Sequence, residues 1–117
     1  MKYSPETVAE VRGILKERAA NRALITYTEL SERIETADVP PFRGSLPDIL
    51  GEVSVSEVKA GRGMLSCLVV AKADHSPGRG FFGLAGELYK PDKVADEFKF
   101  WREETAKVCN YWKDRRK

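Results

Sequence analysis

Residues 61–83 read GRGMLSCLVVAKADHSPGRGFFG, and the fold expected of the chain turns on them. Residues 64–71 form a short apolar run with two adjacent valines, which suits a strand buried on at least one face. Asp74-His75-Ser76-Pro77-Gly78-Arg79-Gly80 is dense in turn formers, and Phe81-Phe82-Gly83-Leu84 is apolar again. Strand, glycine-rich turn and strand predict a β-hairpin. Helix signals flank it on both sides. The expected architecture is therefore α+β, a winged-helix-like three-helix core with a β-hairpin wing and a long C-terminal helix.

Those helix signals are explicit. Ser4-Pro5-Glu6 combines a serine N-cap, proline at the first helical position and an acid in the first turn. Val8, Val11, Ile14 and Leu15 follow at helical spacing to about Ala20. Thr26-Tyr27-Thr28-Glu29 is a capping box, and Leu30 and Ile34 give its helix an inward face, as in the first helix of a helix-turn-helix. Pro40-Pro41 bars continuation. Ser45 restarts a helix, with Leu46, Ile49, Leu50 and Val53 as its stripe. Ser54-Val55-Ser56-Glu57 reads as another capping box, so two abutting helices are expected. Beyond Pro91, the residues Val94, Phe98, Trp101, Thr105, Val108 and Trp112 recur at steps of four and three, one stripe of a long helix. Lys113, Arg115, Arg116 and Lys117 complement the dipole at its end.

The 117 residues predict a single domain, 1–117, with the composition of an ordinary soluble protein. No run approaches a membrane span, and the N-terminus has no apolar signal core, so a cytoplasmic location is expected. Cys67 and Cys109 are too few for a disulfide framework or zinc site, and no metal or cofactor is expected. The net charge of +2 conceals an asymmetry. Residues 27–58 hold two basic and seven acidic side chains, whereas residues 59–93 hold six basic and three acidic.

Residues 26–34, TYTELSERI, with the cysteine-bearing SCLVV of residues 66–70 and the glycine-rich turn after it, resemble the DNA-binding domain of alkylguanine DNA alkyltransferases and alkyltransferase-like proteins. The resemblance covers about half the chain and implies a winged-helix architecture with Cys67 at the nucleophile position. That family has Pro-Cys-His-Arg where this chain has Ser66-Cys67-Leu68-Val69, so the activating histidine is missing. The combination of LSCLVV, PGRGFF and a late Phe-Trp helix also looks like a group of small bacterial and phage proteins.

Catalysis by Cys67 needs a lowered thiol pKa from a neighbouring group, and the only histidine, His75, falls at the hairpin tip. A buried structural cysteine and a non-catalytic protein are the expectation. Ser76-Pro77-Gly78-Arg79-Gly80 lacks the ending of a nucleotide loop. The helix from residue 46 offers Asp48, Glu52, Ser54, Ser56 and Glu57 where a DNA-reading helix needs cations and amides. If nucleic acid is bound, its backbone contacts are expected at Arg62, Lys72, Arg79, Lys90 and Lys93 around the wing. The second reading is a protein partner or homodimer, bound through the acidic helix face or through Phe98, Trp101 and Trp112.

Overall fold

The computed structural model describes residues 3–41 and 45–113. Arg43, Arg115, Arg116 and Lys117 lie outside them. Helix α1 spans Pro5–Ala20, strand β1 Ile25–Thr26, α2 Tyr27–Arg33 and α3 Leu46–Lys59. A 3₁₀ turn at Leu65–Leu68 leads into β2, Val69–Val70. Then come α4, Arg79–Leu88, a second 3₁₀ turn at Pro91–Val94, and α5, Glu97–Lys113.

The start signals of α1 and α2 work as the sequence predicts, whereas Ser45 precedes α3 without a side-chain capping bond. Ser4 Oγ accepts from Thr7 N at 3.2 Å, with Pro5 opening α1. Thr26 and Glu29 exchange both bonds of the capping box, at 3.1 and 3.0 Å. The inner face of α1 carries Val8, Val11, Leu15 and Ala19, and it packs against α5, which buries Val108, Cys109 and Trp112. Each large side chain removed from water there contributes about 1.5–3 kcal/mol before the entropy of ordering is subtracted.

The winged-helix expectation is corrected by the stretch that suggested it. Residues 61–83 form no hairpin. Leu65–Leu68 coils into a 3₁₀ turn, and Val69–Val70 pairs in parallel with β1, Ile25 opposite Val69 and Thr26 opposite Val70. This two-stranded ladder is the only sheet among the described residues. The turn-rich segment folds back on itself, with His75 N donating to Ala71 O at 2.8 Å and Ala71 N to Ser76 O at 2.9 Å. The apolar residues after it belong to α4, whose Phe81 and Ala85 face inward at a spacing of four. Gly80, Gly83 and Gly86 disguise that helix, since each costs about 1 kcal/mol relative to alanine in a helix interior.

Two further expectations change. The segment 46–59 is one helix, because Ser54 is buried and bonded to Ser66 across the fold rather than capping a second helix. Its buried side chains include Glu57, so only Asp48, Glu52 and Ser56 remain of the expected acidic face. The connection from α2 to α3 runs over residues 34–45, far longer than the turn of a helix-turn-helix.

Buried carboxylates hold the joints. Glu57 has no exposed surface and takes both Arg62 Nε and a terminal guanidinium nitrogen at 2.8 Å, with Arg12 Nε 3.6 Å away. Glu104, 5% exposed, accepts from Met64 N at 2.7 Å and from the Tyr89 hydroxyl at 2.5 Å. Gly63 passes beside it with φ +92°, where a Cβ would lie 3.0 Å from Val108 Cγ2. Only glycine satisfies that position.

Candidate functional site

The best-formed concavity is a cleft of about 340 Å³ between α2, α3 and α4. Leu50 and Gly51 of α3 line one wall, Phe81 and Leu84 of α4 the other, and Tyr27 and Ser66 supply polar atoms. Both polar groups are already engaged. Ser66 Oγ lies 2.6 Å from Ser54 Oγ, and Tyr27 hydrogen-bonds with the Gly78 backbone while burial raises its hydroxyl pKa. A cleft with apolar walls and satisfied polar atoms can accept an apolar group; it presents no paired acid and base.

The five expected nucleic-acid contacts do not form one patch. Arg62 is committed to Glu57, and its guanidinium also lies over the Trp112 ring at 5.8 Å. Lys72 and Arg79 are exposed at one end of α4, since their neighbours Ala71 and Gly78 line the same cleft. Lys90 and Lys93 are exposed past the other end, a helix length of about 15 Å away. Asp74, Glu87 and Asp92 are exposed among them, and Glu97 shares a groove with Arg79. The charge is mixed.

The aromatic stripe divides. Trp112 is buried in the core, with Lys16 Nζ 4.7 Å from its ring centroid. Trp101 is half-buried, its indole N–H donating to Cys67 O at 2.8 Å. Phe98 is 62% exposed. Asp96 caps the helix by accepting from Lys99 N at 3.1 Å, so the first turn is ordered although the Phe98 ring projects into solvent.

Cys67 has no exposed surface, and burial pushes its thiol well above the usual range. Burial likewise raises the Cys109 thiol. The Asp74 carboxylate accepts from Ser76 N at 3.2 Å. Among the described residues, no three His, Cys, Asp or Glu side chains converge as metal ligands. No helix there is long and apolar enough to cross a membrane.

The thiols carry a testable pH dependence. Their folded pKa values are raised, so the contribution is complete below the unfolded thiol value of about 8.5 and is lost as pH rises above it. Stability will fall by up to about 1.4 kcal/mol per pH unit for Cys67 alone. Urea midpoints at pH 8 and pH 10 measure this, and an unchanged midpoint contradicts it. In native protein at pH 8, Ellman's reagent will label neither thiol faster than unfolding exposes it.

The sequence reading placed Glu57 and Ser54 on an exposed helix face and Tyr27 only in a capping box, and it did not single out Glu104. Two of them did leave a signal. Glu57 continues the Leu50, Val53 stripe, seven residues after the first and four after the second, and Glu104 sits between Trp101 and Val108 on the inward stripe. Comparison of the chain with protein-family models, with curated proteins and with solved structures found no match.

Proposed function

We propose that this protein is a non-catalytic binding module that docks a protein partner on the exposed aromatic residue at the start of α5. The exposure of Phe98 carries the reading: it continues the stripe of Trp101, Val108 and Trp112, yet its ring stands in solvent while its neighbours Phe100 and Trp101 pack on the core. The ring is held in place. Trp101 meets it edge-on with centroids 6.1 Å apart, and the Arg102 guanidinium lies 5.4 Å from its centre. Trp101 is anchored by its bond to Cys67 O. An aromatic beside an arginine, ordered before binding, is the composition of an interface hot spot. Burial of both thiols and the mixed charge around α4 support a non-catalytic protein binder over a repair enzyme or a DNA reader.

A photo-crosslinking phenylalanine analogue at position 98, with position 106 on the solvent side of α5 as control, tests this in cells. One discrete adduct from position 98 and none from position 106 is the expected result. Equal adducts from both positions, or none from 98, reject the reading. Lys72, Arg79, Lys90 and Lys93 have no ion pair among the described residues, which favours nucleic acid as the second reading. Anisotropy of a labelled duplex separates the two. Tight binding that weakens steeply with salt and is lost in Lys72→Ala/Arg79→Ala would install the second reading in place of the first.

A further inference from the structure

Helix α4 reads Arg79-Gly80-Phe81-Phe82-Gly83-Leu84-Ala85-Gly86-Glu87. Phe81 and Ala85 are its buried side. At about 100° per residue, Arg79, Gly80, Gly83, Gly86 and Glu87 all fall within about 60° of one another's mean direction, on the opposite side. Among the described residues, no side chain packs on the three glycines of this face. A Cβ at position 80, 83 or 86 would meet nothing within 4 Å, and none of the three glycines has positive φ. The contrast with Gly63 and Gly78 is direct, because those two face Val108 and the Tyr27 hydroxyl at 3.0 and 3.4 Å. Nothing among the described residues requires glycine on the outer face of α4.

The charges say what covers it. Read from Gly83 outward, the face is its own complement: glycine at minus three and plus three, arginine at minus four, glutamate at plus four. Neither Arg79 nor Glu87 has an ion pair among the described residues. We infer that two copies of this chain pair through α4, antiparallel about a two-fold axis at Gly83. Arg79 then meets Glu87 of the partner subunit, and the symmetry makes that contact twice. Missing Cβ atoms let the two helix backbones approach closely. A groove of about 550 Å³ lined by Arg79, Phe82, Gly83 and, on α5, Glu97 gives the partner helix a recess. The inference is independent of the reading of Phe98.

Sedimentation equilibrium of the full chain at low salt tests it. The mass should rise with concentration from 13.2 kDa toward twice that value. Gly83→Leu places a side chain on the axis and should weaken pairing more than about tenfold, without lowering the monomer's melting temperature, because leucine is the better helix former. Arg79→Glu and Glu87→Arg should each weaken pairing about tenfold, and the double swap should return it to within about threefold of the native value. The swap series decides the matter even if Gly83→Leu folds poorly. A chain monomeric at all concentrations, pairing unmoved by these changes, or a double swap no better than the single ones would overturn the inference.

Discussion

Arg62→Ala will lower the unfolding free energy by about 3 kcal/mol at neutral pH, the lower end of what breaking a buried ion pair costs. Its partner Glu57 has no exposed surface and would keep only Arg12 Nε, 3.6 Å away. The loss sits at the lower end because the Arg62 side chain is 28% exposed and water already reaches it. For a domain of this size the melting temperature should drop by about 10–20 °C. Replacing both partners, in Glu57→Leu/Arg62→Leu, should recover most of that, since the buried charge leaves with its counter-ion. Urea denaturation of the three proteins measures the series. A single variant as stable as the native chain would refute the staple and return Arg62 to the surface role that its sequence position suggested.

Glu104→Ala should cost a similar amount, about 3 kcal/mol, by a different route. Its carboxylate is the acceptor for the Met64 amide and the Tyr89 hydroxyl, and it lies on α5, 40 residues from the amide it holds. Removing it strands a buried N–H and opens space beneath Gly63. Glu104→Gln keeps one acceptor oxygen and should cost about half as much, because it loses the charge assistance but not the bond. Burial and the neighbouring Glu104 both raise the Tyr89 hydroxyl pKa, as expected of a phenol donating to a carboxylate in a half-dry site. Urea midpoints again decide, and alanine and glutamine variants of equal stability would contradict the stranded amide.

What could be read from the sequence follows from how far each signal reaches along the chain. Ser4 and Thr26 act on amides three residues away, so their helices were legible. α4 was not, because its three glycines suppress the propensity signal while Phe81 and Ala85 hold it to the core. Ser54 has two good uses, helix cap or buried hydroxyl, and only Ser66 arriving from twelve residues away selects the second. The wing failed for the same reason: Val69 and Val70 found their partner strand upstream, in Ile25 and Thr26, rather than just ahead. Arg62 was legible as a cation and illegible as a committed one. The stripe on α5 was legible too, but how much body lies under it was not, and that alone separates buried Trp112 from exposed Phe98.

The tie between Met64 and Glu104 also bears on when the chain can fold. β1 must wait for β2, the packing of α1 is complete only with α5, and the 3₁₀ turn at Leu65–Leu68, bonded to Ser54 over twelve residues, gains its tie to α5 only when residue 104 arrives. Closures over such separations cost chain entropy before any contact repays it. A chain emerging from the ribosome therefore lacks the α5 side of its core until α5 is free of the exit tunnel. During that interval its apolar surface is what a chaperone would meet.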